Sequence, residues 1–324
     1  MLLAVGTTLF VALLAWQGFD TVLSTLMVAG WGLLVVAAFH LLPLVIDAHA
    51  IDVLLPRASR SLRTAVLARW SGESVNSLLP AGQFGGPVVM VRQLARHGLR
   101  MRDASAAITV STTMQTLAQI VFALLGIGLF AAYADKGIPP SWRMPLLATT
   151  VVLLLLVAGF AVLQRRGLFG GTVGLVARAF PRRDWSLLTA RAVSVDEAVR
   201  AIYAERGTAV PSFVWSLVGW IVGAGEVWLA LHFLGHPVDW LDALFLEAAG
   251  QAIRGAAFAI PGSLGVQEGG YLLLAPLVGL PPDAALALSL VKRTRELALG
   301  IPGLIHLQWS ERTWRRTHPA SVAE

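Results

Sequence analysis

The 324-residue chain contains no cysteine, which excludes disulfides, thiolate nucleophiles, iron–sulfur clusters and thiolate-bound zinc. Charge is also scarce: Asp, Glu, Lys and Arg make up 14% of the residues, against roughly 25% in soluble domains. With 56% hydrophobic residues and a mean hydropathy of +0.70, the composition is that of a membrane protein. No G-x-S-x-G, H-E-x-x-H or Walker A segment occurs, so no motif points to hydrolase, metalloprotease or nucleotide chemistry. No catalytic residue and no cofactor is expected. The segment "DAHAID" brings Asp47, His49 and Asp52 together, but two of them fall on different helix faces and no second cluster completes a metal shell. His40, His232 and His306 stand isolated in apolar runs and read as interhelical hydrogen bonders rather than bases.

What is present is a series of long apolar runs. About 30 Å of hydrocarbon requires roughly 20 apolar residues per helix, and residues 2–19, 26–46, 105–132, 144–163 and 211–234 meet this. Residues 284–308 form a sixth span if their charges are hidden from lipid. The first run lacks a basic leader and an A-x-A-like cleavage site, so it reads as a span rather than a removed signal.

Arginine orients the spans. The stretch 57–102 carries Arg57, Arg60, Arg63, Arg69, Arg92, Arg96, Arg100 and Arg102, and 164–210 opens with Arg165 and Arg166 and adds six more. Both belong in the cytoplasm. The connections 20–25 and 235–241 carry no Lys or Arg, and 133–143 has only Lys136 and Arg143, so these face the opposite side. The tail, with Arg312, Arg315 and Arg316, returns inside. This describes a multi-pass protein of a bacterial inner membrane with both termini cytoplasmic. The net charge of +6 then reflects loop retention, and nucleic acid is not an expected partner.

Two regions fit neither a span nor a solvated loop. Residues 64–95 are broken by "LLPAGQFGG", with Pro80, Gly82 and Gln83, and residues 242–281 by "IPGSLGVQEGG", with Pro261, Gly262 and Gly265. Each reads as a re-entrant helical hairpin, and the two dip from opposite faces. Broken segments at matching places in two halves mark an inverted repeat around a midplane site. Irregular backbone at that depth is tolerated only where protein buries it or it lines a polar cavity. Surface loops with chance Gly and Pro content are the alternative. The expected fold is thus an all-α polytopic membrane protein with six full spans and two oppositely oriented hairpins, in one domain over 1–324. Within the 164–210 loop, Leu188, Ala192, Val195, Val199 and Ile202 recur at helical spacing, as in an amphipathic helix lying on the cytoplasmic interface or docking a partner.

Charges inside apolar stretches are the sharpest pointers, since each costs a few kcal/mol or more at the bilayer centre unless paired or hydrated. "LVKRTRELALGIP" in the last helix sets Lys292 and Glu296 four apart, able to pair, and leaves Arg293 and Arg295 seeking anions. Glu226, Glu247 and Glu268 are the candidates, and a structural Arg295–Glu268 clasp is one outcome. Glu73 and Asn76 precede the first break, and Gln251 and Arg254 the second. Exposed N–H and carbonyl groups at such breaks can complete a ligand shell with these side chains, although Asn76 and Gln83 equally suit helix caps. Thr109, Thr112, Thr113, Gln115 and Gln119 make the third span's first half polar, for a cavity wall or for interhelical hydrogen bonds.

"NSLLPAGQFGG" followed by Arg92, and "PGSLGVQEGG" followed by a basic residue and Pro302, resemble the flippase-like membrane family that includes the transmembrane region of lysylphosphatidylglycerol synthase. The likeness covers nearly the whole chain and is greatest to the branch found beside hopanoid-biosynthesis genes. It implies that Asn76, Pro80 and Arg92 serve the first broken segment, Pro261, Gly262, Gly265 and Glu268 the second, and Arg295 the last helix. Many relatives carry Gly-Glu after the first proline and an acidic–basic pair opening the next span. Gly85-Gly86 and Thr112-Thr113 stand here instead, which favours a less charged lipid over an aminoacyl-phospholipid. The expected function is translocation of a polar or weakly anionic lipid, such as a hopanoid, between leaflets, with Glu268 and Arg295 holding the headgroup. A non-transporting scaffold for lipid-biosynthesis enzymes and a membrane-embedded lipid-modifying enzyme are the alternatives, and a homo-oligomer is a further expected association.

Overall fold

The computed structural model describes residues 27–79, 85–133, 158–179, 185–256 and 266–317, with residues 24, 144, 151, 152 and 155 in addition. These are mostly helical, joined by short turns, and no strand occurs among the described residues. In chain order the helices are α1 (Gly32–Phe39), α2 (Leu41–Asp52), α3 (Leu62–Leu78), α4 (Gly85–Arg96), α5 (Met101–Tyr133), α6 (Leu168–Ala179), α7 (Ser186–Ala204), α8 (Arg206–Phe233), α9 (Trp240–Ala256), α10 (Val266–Leu274) and α11 (Pro282–Thr317). Residues 158–166 are also helical. The expected span 2–19 and half of 144–163 lie outside the described residues, as do Pro80, Gly82, Gln83, Pro261, Gly262 and Gly265.

Three stretches, Gly32–Asp52, Met101–Leu129 and Gly207–Phe233, are long and apolar enough to cross a membrane. They correspond to three expected spans, the first of them displaced toward the C-terminus by several residues. The expected span 284–308 is instead the middle of α11, a 36-residue helix about 54 Å long at 1.5 Å per residue. Its length exceeds the hydrocarbon, and its charges sit partway along it. Outward-facing Leu34, Leu41, Leu125, Val214, Ile301 and Ile305 are exposed, a surface suited to lipid.

Two helix pairs organise the interior. In the first, α3 and α4 run antiparallel: a Cβ on Gly72 would meet Met90 Cγ at 2.5 Å and Gly86 O at 3.1 Å, so the pair closes only with glycine there. In the second, α9 and α10 run antiparallel, with Gly250 against Tyr271 and Ile253 against Gly270. The open ends of the two pairs point in opposite directions. Leu54, Leu55, Leu94 and Leu99 cluster at the open end of the first. Leu234, Phe245, Ala275 and Leu280 cluster at that of the second. Chain reversals at these ends use left-handed glycines: Gly98 (φ 95°) and Gly235 (φ 80°). Leu99 N–H then returns to Leu94 O and His236 N–H to Leu231 O, closing both helix ends.

Long α11 runs past both pairs. Ser289 and Lys292 contact the second pair, while Trp70 Nε1 donates to Leu299 O at 2.9 Å and Arg96 reaches Glu311 at 3.0 Å in the first. The two arginine-rich stretches share one end of the molecule. Arg57, Arg60 and Arg102 line a surface cleft with Glu197 and Glu205 of the α7 region, and Arg57 lies 3.7 Å from Glu205. Helix α7 departs from the expected interfacial arrangement. Val199 is fully buried, and Val195 and Ile202 pack with it against Ala104, Ala107 and Ile108 of α5. Asp196 also anchors α7 to α6, accepting from Phe169 and Gly170 N–H at 3.0 and 2.6 Å. Leu187 and Leu188 remain exposed.

Candidate functional site

Between the two apolar clusters lies a polar cavity of about 480 Å³, lined from α1–α2, α3, α4, α5, α8, α9 and α11. Helical periodicity builds it, because residues at i, i+3, i+4 and i+7 share a face. Arg69, Glu73 and Asn76 present one such stripe from α3, Thr112, Gln115, Thr116 and Gln119 another from α5, and Gly219, Gly223 and Glu226 a third from α8. His40 and Asp47 come from α1–α2, Glu247, Gln251 and Arg254 from α9, and Lys292, Arg295 and Glu296 from α11. The lining thus holds five carboxylates (Asp47, Glu73, Glu226, Glu247, Glu296) and four basic groups (Arg69, Arg254, Lys292, Arg295), with His40 beside them.

These charges are wired across helices. Asp47 Oδ2 accepts from Arg69 Nη2 at 2.7 Å and from Gln115 Nε2 at 3.0 Å. A Cβ on Gly219 would sit 2.6 Å from Asp47 Oδ1, so glycine gives that carboxylate its place. His40 bridges Glu73 (2.7 Å at Nε2) and Glu226 (2.8 Å at Nδ1). Arg295 Nε lies 3.2 Å from Glu226 Oε1, and its Nη1 3.7 Å from Glu73 Oε1. Lys292 pairs with Glu247 of α9, and Arg254 Nη1 reaches Glu296 Oε1 at 3.1 Å. The desolvation cost of each ion is thereby offset by a partner. Even so, Arg69 Nε, Glu226 Oε1, Arg295 Nε and Glu296 Oε1 are buried without an aligned hydrogen bond among the described residues. Each of the four still lies within ion-pair distance of an opposite charge.

The sequence-derived site residues divide into three groups. Asn76, Arg254, Lys292 and Arg295 line the cavity. Asn76 also caps α4, accepting from Gly86 N–H at 2.7 Å, so the cap and a place in the cavity wall coexist. Arg92, Glu268 and Arg293 lie outside the lining. Arg92 is half exposed and 3.4 Å from Glu311. Glu268 meets Arg293 at 3.4 Å and Ser289 at 3.1 Å. The remaining six are those outside the described residues.

Two expected pairings are replaced. Positions two apart on a helix point about 200° apart, so Arg293 faces Glu268 on α10 while Arg295 turns inward to Glu226, Glu73 and His40. The Arg295–Glu268 clasp does not form. Lys292 takes Glu247 rather than Glu296, because Glu296 is already held by Arg254 and by Arg293 Nη1 at 3.1 Å. The "DAHAID" residues also diverge. Asp47 enters the cavity, His49 packs edge-on against Trp215, and Asp52 accepts from Ser61 N–H at 2.8 Å.

Sequence reasoning left out His40, Asp47 and Arg69 as cavity residues, reading them as an isolated imidazole, a failed metal cluster and a loop charge. The available signal was the seven-residue spacing of His40 to Asp47 and of Arg69 to Asn76, which puts polar groups on one face of each helix.

A polar cavity inside an apolar helical body agrees with the sequence comparison. The profile of the family described as "Lysylphosphatidylglycerol synthase TM region" matches residues 2–303. The chain belongs to this family. A relative described as a UPF0104 membrane protein, from Methanothermobacter thermautotrophicus, is 25% identical over 236 residues, covering 68% of each chain. No solved structure matches the chain significantly. Membership makes this a membrane protein of a lipid-associated family.

Proposed function

We propose that the chain is a lipid translocase, passing a polar or weakly anionic headgroup between leaflets while the acyl or terpenoid tail stays in lipid. The observation that carries this reading is the cavity. Nine charged groups and a belt of amides and hydroxyls are gathered roughly midway along apolar helices, where an unused polar cluster would cost several kcal/mol. The Thr112, Gln115, Thr116 and Gln119 stripe lines it with hydroxyls and amides that a headgroup or water can bond to. The near balance of acids and bases disfavours a polyanion, which would meet repulsion from Asp47, Glu73 and Glu226. A hydroxyl-rich headgroup, such as that of a polar hopanoid, meets amides, Thr hydroxyls and paired charges instead.

On this reading the α3–α4 and α9–α10 pairs are re-entrant hairpins inserted from opposite faces. The arginine-rich end lies in the cytoplasm of a bacterial cell, with both termini there. The protein does not transfer an aminoacyl group or otherwise alter its lipid.

Reconstitution tests the proposal. Vesicles carrying the purified protein should exchange headgroup-labelled lipid between leaflets faster than protein-free vesicles, with the lipid's mass unchanged. Exchange at the protein-free rate for polar hopanoid, polyprenyl-phosphate and phosphatidylglycerol probes alike would overturn it. A changed lipid mass would identify an enzyme.

A further inference from the structure

His40 sits where α1 passes to α2, and three other helices close around its ring. From α3, Glu73 Oε1 lies 2.7 Å from Nε2, and Arg69 lies 3.9 Å from Glu73 Oε2. From α8, Glu226 Oε2 lies 2.8 Å from Nδ1. From α11, Arg295 Nη1 lies 2.6 and 2.7 Å from the two ring nitrogens, with Lys292 and Glu296 lining the same cavity. Two turns along α2, Asp47 is held by Arg69.

One imidazole cannot serve all these neighbours at once. With N–H on both nitrogens it donates to Glu73 and Glu226 together, and Arg295 serves the carboxylates alone. With a single N–H, one nitrogen becomes an acceptor, takes a hydrogen bond from Arg295 Nη1, and releases the carboxylate it had faced. The two arrangements differ by one proton and by the helices bound: α3 and α8 in the first, α11 and one of those two in the second. Charge follows the same logic. Five carboxylates and four basic groups line the cavity, so a protonated His40 brings it to neutrality and a neutral one leaves a single excess negative charge. The side chain keeps 14% exposure and borders the cavity, so the proton can pass to and from water.

Resting on the translocase reading, we propose that His40 is the protein's proton-binding site. Uptake of one proton from cavity water ties the α1–α2 helix to α3 and α8, and its return to water exchanges one of these two helices for α11. A proton gradient can then drive the rearrangement of the cavity.

The test uses the full chain in phosphatidylcholine nanodiscs, without any transported lipid. Nitrogen-15 signals of the His40 ring, assigned by their loss in His40→Gln, are followed from about pH 5 to about pH 9. In parallel, Ser77→Cys places one thiol at the cavity in a chain that has no other. Its alkylation rate with His40 intact is divided by the rate with His40→Gln, which removes the thiol's own ionisation. The expected result is conversion from two N–H groups to one within this window, with the rate ratio changing about tenfold per pH unit at most and over the same interval. A ring that keeps one protonation state throughout, or a flat ratio, overturns the proposal. Should His40→Gln not fold, Glu73→Gln replaces it. Loss of one acceptor should displace both midpoints together, and unmoved midpoints overturn the proposal equally. Failure here leaves lipid exchange to be decided by the vesicle assay, whereas absent exchange beside an intact titration removes translocation alone.

Discussion

Lys292 on α11 donates to Glu247 on α9, and the two side chains are 3% and 5% exposed. The pair joins the second helix pair to the long helix across the cavity wall. Breaking a buried pair on one side strands a charge, at a cost of about 3–5 kcal/mol, whereas replacing both partners by apolar groups is often close to neutral. Lys292→Met and Glu247→Met should each lower the thermal unfolding temperature of detergent-solubilised protein sharply. The double variant should regain most of the loss. A loss in the double variant equal to the sum of the two single losses would mean that the pair is not coupled.

The start of α4 is capped by Asn76, which accepts from Gly86 N–H and lines the cavity. Asn76→Ala removes that cap, for which about 0.5–2 kcal/mol is the usual loss. Asn76→Asp keeps an acceptor. The expected result is modest destabilisation with alanine and near-native stability with aspartate, measured by thermal unfolding of the two purified variants. Identical melting of alanine and wild type would show that the α4 start is held by other contacts.

The all-helical class, three spans and the antiparallel pairing of 62–78 with 85–96 were legible because hydrophobic runs and Gly/Pro interruptions are local signals. Glu226 and Glu247 were also recognisable as partners for the last helix, since acids in apolar runs must be compensated. Their assignment to particular cations was not legible. Which of Lys292, Arg293 and Arg295 faces which acid depends on the rotation of α11 against its neighbours, a tertiary quantity. Arg69 was hidden for a related reason: counted among loop arginines, it reveals itself only when Glu73 and Asn76 are seen on the same helix face. The α7 stripe misled because a helix packed on α5 and one lying on a membrane carry the same period of apolar residues.

The opposed directions of the two helix pairs predict opposite accessibility at their open ends. His97, after α4, and Asp239, before α9, are both exposed, and the natural chain has no cysteine to interfere. In intact cells, Asp239→Cys should react with a membrane-impermeant maleimide, and His97→Cys should react only after the membrane is opened. Labelling of both from the same side would contradict the opposed arrangement.

The cavity also separates acids that resemble one another in sequence. Glu226 lines it, bonded to His40 and 3.2 Å from Arg295 Nε. Glu268 lies on α10 outside the lining and meets Arg293 and Ser289. Both are buried or nearly so and both neutralise an arginine, so a purely structural role would make Glu226→Gln and Glu268→Gln similar. A headgroup path through the cavity makes them differ, because only Glu226→Gln alters the charge and hydrogen-bonding capacity of the surface that the headgroup meets. In vesicles matched for folded protein, Glu226→Gln should slow leaflet exchange of the labelled lipid by about tenfold or more, the equivalent of about 1.4 kcal/mol at the barrier. Glu268→Gln should retain most of the rate. The reverse ranking would move the headgroup path to the α10–α11 side, where Glu268 and Arg293 stand.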